Sequence, residues 1–302
     1  MKKDFLSIAE LTAADVLELL ELTDTLKSNP QLKPLAGKTV ATIFQKPSLR
    51  TRVSFEVGVV QLGGYPIYLG NESIGIGSRE SVADVANMLT RFCDAIVARV
   101  YDHSIVVDMA KYSTVPVINA LTDLSHPCQI MSDVYTLRQH GKLRDGVKLA
   151  YIGDGNNIVN SWLEFACLMP MHLALAVPLG YEPDAGIFRA AQESGMSKIE
   201  LVHNPVEAAV DADVIYSDTW ISMGQEKDKI RRMYDFWEFQ VNTALLKHAK
   251  DDVIVMHCLP AHRGEEITDE VLDGKHSVVY VQGENRLHVQ KALLTKLISR
   301  QP

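Results

Sequence analysis

The chain opens on apolar residues spaced at helical period. Thr12 followed by Asp15 reads as a helix N-terminal box, and Val16, Leu19, Leu20 and Leu26 then fall on one stripe of that helix. From Lys38 the pattern changes to short β-rich runs at 38–44, 65–69, 94–99 and 116–119. Helical stretches near 51–62, 80–92 and 103–112 lie between them. A second series of strands is predicted at 147–153, 172–177, 198–202, 213–217 and 252–257, with helical patterns between most of them. Residues 129–140 are predicted as a helix between the two series, 141–146 as a turn, and 284–298 as a terminal helix. Strands alternating with helices of this length form βαβ units on a parallel sheet. The predicted fold class is therefore α/β: two doubly wound parallel-sheet domains joined by inter-domain helices near residues 130–146. On pattern alone the terminal helix could return to either domain.

Composition narrows the partners. A length of 302 residues suits two domains. With 30 Lys+Arg against 38 Asp+Glu the net charge is −8, which argues against a nucleic-acid or membrane-surface binder. An anionic small molecule stays open, because a few arginines in one cleft reverse the local sign. Cys93, Cys128, Cys167 and Cys258 show no CxxC spacing, so neither a zinc site nor a redox pair is expected. No apolar run reaches the ~18 residues of a membrane span. Asp4, Glu10, Asp15 and Glu18 interrupt any signal-peptide core, so a cytoplasmic location is expected.

Ligands of open α/β sheets bind beyond the carboxyl ends of the strands. In the first series those positions hold Ser48-Leu49-Arg50-Thr51-Arg52, Arg99 and His126-Pro127-Cys128-Gln129. In the second they hold Gly153-Asp154-Gly155-Asn156-Asn157, Asp218, Ser222-Met223-Gly224 and His257-Cys258-Leu259-Pro260. Cations and hydroxyls collect in the first half; a carboxylate, amides and a thiol collect in the second. Residues 48–52 join a strand to a helix beginning near Thr51, and a helix start with hydroxyls and guanidinium forks suits a phosphate. Taken singly, the other positions keep bland readings: Arg99 as an edge arginine, His126 as structural, Asp218 as a helix cap, Cys258 as a small core residue. The Gly153-Asp-Gly155 run lacks the third glycine of a dinucleotide fingerprint, with Ile158 in its place, which weighs against a nicotinamide dehydrogenase.

Taken together, the segments 44–56 (FQKPSLRTRVSFE), 126–129 (HPCQ), 153–157 (GDGNN), 217–226 (SDTWISMGQE), 257–266 (HCLPAHRGEE) and 284–292 (ENRLHVQKA) resemble the ordered motifs of ornithine carbamoyltransferases. The resemblance spans about residues 5–298. It implies transfer of the carbamoyl group of carbamoyl phosphate to the side-chain amine of L-ornithine, giving L-citrulline and phosphate in arginine biosynthesis. It implies no cofactor and no metal, and a homotrimer with shared active sites. Carried over by position, Ser48, Leu49, Arg50 and Thr51 bind phosphate, while Arg99, His126 and Gln129 hold the carbamoyl group and phosphate. Arg286 completes the carbamoyl phosphate site, with Cys258 and Leu259 beside the reacting nitrogen. Asn157, Asp218, Ser222 and Met223 bind ornithine, and Arg50, Arg99, His126 and Cys258 are the implied catalytic group. The implied division is a carbamoyl-phosphate domain at 1–132, with helix 286–302 packing back on it, and an ornithine domain at 133–285.

Two positions depart from the family pattern. Leu49 stands where a threonine is usual, removing one hydroxyl. Gly75 stands where a glutamine usually reaches the neighbouring subunit's carbamoyl phosphate. Both bear on affinity rather than on reaction type. A ligand sensor without turnover is the reading from another class, and retention of Arg50, Arg99, His126, Asp218 and Cys258 at strand ends disfavours it.

Overall fold

The computed structural model describes residues 1–77, 79–221 and 226–299. It forms two compact units, Met1–Tyr135 with Glu284–Pro302, and Thr136–Gly283. The first unit carries the strands β1 (Thr39–Phe44), β2 (Tyr65–Gly70), β3 (Ala95–Arg99) and β4 (Val117–Leu121) in the order β2-β1-β3-β4. All neighbours are parallel. Every residue of β3 is buried, as expected for a strand covered on both faces. The helices in chain order are α1 (Ala13–Ser28), α2 (Leu49–Gln61), α3 (Asn71–Ile74), α4 (Val82–Leu89), α5 (His103–Tyr112) and α6 (Pro127–Gln139). Thr12 and Asp15 close the capping box that starts α1. The chain steps from β1 to β2 on one side and to β3 on the other, so the strand order reverses between β1 and β3. Phe44 and Arg99 are register partners there, which sets the carboxyl ends of the two strands side by side.

The second unit carries β5 (Lys148–Ile152), β6 (His172–Ala176), β7 (Lys198–Val202), β8 (Val214–Ser217) and β9 (Ile254–His257) in the order β7-β6-β5-β8-β9, again all parallel. Its helices are α7 (Asn157–Ala166), α8 (Ala185–Glu193), α9 (Pro205–Ala209), α10 (Lys229–Asp235), α11 (Thr243–Leu246) and α12 (Asp269–Leu272), followed by α13 (Val279–Ile298). Here the order reverses between β5 and β8, and Ile152 and Ser217 are register partners at that point. A core of Ala150, Ile152, Ile215, Val255 and Ile267 lies under β5, β8 and β9. Burying each of the isoleucine and valine side chains there contributes roughly 1.5–3 kcal/mol.

Two helix starts differ from the sequence expectation. The site helix begins at Leu49 rather than near Thr51, because Ser48 supplies the cap. The terminal helix begins at Val279, so Glu284-Asn285-Arg286 lie inside it. In the first unit α13 lies against α2: a Cβ on Gly58 would sit 3.4 Å from Lys291 and 3.5 Å from Leu287. No helix of the described residues is long and apolar enough to cross a membrane.

Candidate active site

In the first unit the site grows from the start of α2. Ser48 is extended at the N-cap, and its hydroxyl accepts the Thr51 N–H at 3.3 Å. The first turn of a helix offers backbone N–H groups that the helix itself does not satisfy. The cap places Thr51 inside that turn, fully buried. Its Oγ1 accepts from Arg99 Nη1 at 3.3 Å and from Arg286 Nη2 at 2.5 Å. One hydroxyl thus gathers a guanidinium from the end of β3 and another from α13. Both arginines are buried, at 6% and 3% exposure.

Buried cations leave their mark on the neighbouring imidazole. His126 is itself buried. Burial holds its pKa well below the usual histidine range, and the Arg286 and Arg99 charges push it further down. His126 is therefore neutral at pH 7 and can donate one hydrogen bond without adding charge. Gln129, in α6, donates its amide to Asp133 at 2.9 Å. Its buried Oε1 has no hydrogen-bond partner among the described residues, so an acceptor remains for an incoming N–H. Arg50 follows Leu49 in the first turn and is half-buried. Arg52, by contrast, is exposed, pairs with Glu56 at 2.9 Å and lies over the Tyr68 ring. The Cys128 thiol donates to the Asn119 carbonyl at 3.2 Å, and burial pushes its pKa up to about 12, which makes it a packing residue.

In the second unit Asp218 follows β8 and is the centre of the arrangement. Asn156 donates its amide to Asp218 Oδ2 at 2.7 Å. The Thr219 N–H and the Cys258 thiol donate to Oδ1, each at 2.8 Å. Cys258 follows β9, so the three residues come from the ends of β5, β8 and β9. His257 Nδ1 accepts the Leu259 N–H at 2.8 Å, which places the ring proton on Nε2, facing Glu266 Oε1 at 3.1 Å. That contact holds Leu259 at φ +55, a conformation side-chain-bearing residues rarely adopt. Asn157 opens α7 one residue after Asn156 and is half-buried. Ser222 and Met223 lie outside the described residues.

The glycine motif acquires a packing explanation. A Cβ on Gly155 would sit 2.4 Å from the Tyr181 carbonyl oxygen and 2.4 Å from the Pro183 nitrogen. Only glycine lets these two loops meet, and no dinucleotide is needed to account for it.

The residues that sequence reasoning left without a role are Asn156, Lys46 and the pair Asp154–Arg232. Asn156 caps α7 through Ile158 N while it orients Asp218. The signal available was its place directly before a helix start. Lys46 is buried with its Nζ 4.5 Å from the centre of the Tyr101 ring. Burial lowers its pKa, and the Arg99 charge lowers it further.

Comparison with protein families covers both units. Residues 3–139 match the carbamoyl-P binding domain of aspartate/ornithine carbamoyltransferases, and residues 145–297 match the Asp/Orn binding domain. The chain belongs to the aspartate/ornithine carbamoyltransferase family. The ornithine carbamoyltransferase of Chlorobaculum tepidum is 49% identical over 99% of this chain and 90% of its own length. Among solved structures, that of the Pyrococcus furiosus ornithine carbamoyltransferase has a TM-score of 0.94 at 48% identity, over 99% of this chain and 98% of its own. The anabolic Campylobacter jejuni ornithine carbamoyltransferase has a TM-score of 0.95 at 37% identity, over the full length of both chains. Within the carbamoyltransferase family match, Thr51, Arg99 and His126 fall in the first domain segment. Arg286 falls in the second segment, yet its guanidinium reaches Thr51 in the first compact unit.

Proposed function

We infer that this chain is an ornithine carbamoyltransferase. It transfers the carbamoyl group of carbamoyl phosphate to the side-chain amine of L-ornithine, giving L-citrulline and phosphate. The observation that carries this reading is Thr51, one buried hydroxyl that gathers two buried guanidiniums at a helix start. Helix N-termini and guanidinium forks favour an anion of phosphate type.

In this reading Ser48, Arg50, Thr51, Arg99 and Arg286 hold the phosphate, with Leu49 contributing its backbone N–H. Neutral His126 donates to the carbamoyl oxygen, and Gln129 Oε1 accepts from the carbamoyl amide. Asp218 binds the α-ammonium of ornithine, together with Asn157, Ser222 and Met223 at the amino-acid end. Cys258 and Leu259 flank the reacting amine. That amine has a solution pKa near 10.4, so its ammonium must lose a proton to give the attacking neutral form. A C–N bond then forms at the carbamoyl carbon, the bond to the phosphate oxygen breaks, the surplus proton of the attacking nitrogen passes to the departing phosphate, and phosphate leaves with its charge balanced by the arginines. Donors fixed on the developing oxyanion typically contribute about 10²–10³ in kcat each.

The assembly we propose is a homotrimer working in the cytoplasm. What supports self-association is α2, where Leu49, Val53, Val57 and Val60 are exposed at helical spacing. Leu49 is 73% exposed and belongs to this stripe, which accounts for the missing threonine hydroxyl without loss of the cap.

Phosphate release from carbamoyl phosphate, assayed in parallel with ornithine, putrescine, N-acylated ornithine and aspartate and with the carbamoylated product identified in each, tests the reaction. Ornithine is expected to be the one efficient acceptor. Turnover of aspartate or an acyl-ornithine without turnover of ornithine would overturn the reading.

A further inference from the structure

The second unit holds a buried ion pair that the reaction as described does not use. Arg232, on α10, places Nη2 2.5 Å from Asp154 Oδ2, with both side chains under a tenth exposed. Its Nε donates to the Trp220 carbonyl at 2.5 Å. Its guanidinium lies 4.7 Å from the Tyr181 ring centre and 5.0 Å from that of Phe236. Truncating one partner of a buried pair is costly, and so is placing the pair there. A pair kept in that position therefore invites a functional account.

The connections supply one. Asp154 lies two residues before Asn156, and Trp220 lies two residues after Asp218. Asn156 donates to Asp218 at 2.7 Å. The guanidinium therefore closes a ring: Arg232 to Asp154, along the chain to Asn156, across to Asp218, along the chain to Trp220, and back to Arg232. The two arms of the ring are the loops that follow β5 and β8. The aromatic cage limits the guanidinium to the orientation that serves both arms. A lysine could hold one arm as a point charge, but it lacks the fork that holds two.

We propose that Arg232 is a positioning residue for the amino-acid substrate. It fixes the separation of the two strand-end loops and thereby aims the Asp218 carboxylate at the substrate's α-ammonium. The inference rests on the ornithine reading above and adds the residue that sets its recognition geometry. Arg232 touches no substrate in this account.

The test is steady-state kinetics of the full-length parent, Arg232→Lys and Asp154→Asn, with melting curves for each. Arg232→Lys is expected to raise KM for ornithine about tenfold and to leave KM for carbamoyl phosphate within about twofold. Preference for ornithine over 5-aminopentanoate, which lacks the α-ammonium, is expected to shrink by a similar factor. Asp154→Asn gives the same pattern at smaller size and serves if the lysine variant fails to fold. A merely structural role would lower the active fraction, reducing apparent kcat with both KM values and the substrate preference unchanged, and that result overturns the proposal. An equal rise in both KM values also overturns it. A parent protein that makes no citrulline overturns the ornithine reading and this inference with it, whereas an active parent with unmoved variants overturns this inference alone.

Discussion

At the scale of single residues, side chains here serve two neighbours at once. Thr51 Oγ1 accepts from two guanidiniums, and Asn156 both caps α7 and donates to Asp218. The two duties of Asn156 are separable. Serine caps helices about as well as asparagine, but its short hydroxyl has no amide to extend toward Asp218. Asn156→Ser is therefore expected to keep the melting temperature near that of the parent while kcat/KM for ornithine falls about tenfold, the equivalent of ~1.4 kcal/mol. Substrate-saturation curves together with a melting curve check this; unchanged kcat/KM in the folded variant would remove Asn156 from the positioning network. Sequence could not reveal the second duty. Both asparagines of the doublet stand at a helix start, and only the fold brings β8 beside β5, so that the first of them faces the carboxylate.

At the scale of elements, the strands were legible because each is a short β-rich run between polar turns, most of them buried, although β2 and β7 hold no fully buried residue. The predicted strand at 198–202 coincides with β7, and the predicted helix at 103–112 coincides with α5. The start of α13 was less legible. Its first turn, Val279-Tyr280-Val281-Gln282, carries β-branched and aromatic residues that propensity assigns elsewhere, and tertiary packing sets it. The exposed face of α2 was hidden too, because its valines read equally well as core. Exposure of Leu49 at 73%, Val53 at 47% and Val60 at 59% makes that face the surface we propose for contact with other copies. Val60 lies more than two turns beyond the start of α2, where we propose that phosphate binds, so Val60→Glu is expected to leave the protomer folded. In sedimentation analysis the parent should travel at three times the chain mass of 33.6 kDa, and the variant should shift toward single chains. A variant that keeps the parent's mass would move the contact to another face.

At the scale of the whole molecule, the histidines set the response to acid. His103, His126, His140, His172 and His288 all have folded pKa values below 6.5, with burial the leading cause in each. As pH falls below 6.5, the unfolded chain takes up protons at these positions that the folded chain resists. Stability from this source is complete above about pH 6.5 and is lost as pH drops toward the folded values. Asp154 works in the opposite sense. Burial raises its carboxyl to about 6 against the pull of Arg232, so between its ordinary value of 3.8 and about 6 the folded chain is the better proton acceptor there. Asp15, held at about 2, loses its contribution only at pH values below this window. Five imidazoles outweigh the two raised carboxyls, Asp154 and Asp4, between pH 7.5 and 5.5. The melting temperature is expected to fall across that interval, by about 1–2 °C for each kcal/mol lost in a chain of this size. Calorimetry at the two pH values, at fixed ionic strength, measures it. A melting temperature that holds or rises at pH 5.5 would mean that the buried imidazoles, His126 first among them, accept protons without loss of packing. In that case His126 would no longer be, at pH 5.5, the neutral donor to the carbamoyl oxygen proposed above, and the rate of carbamoyl transfer would be expected to change between the two pH values.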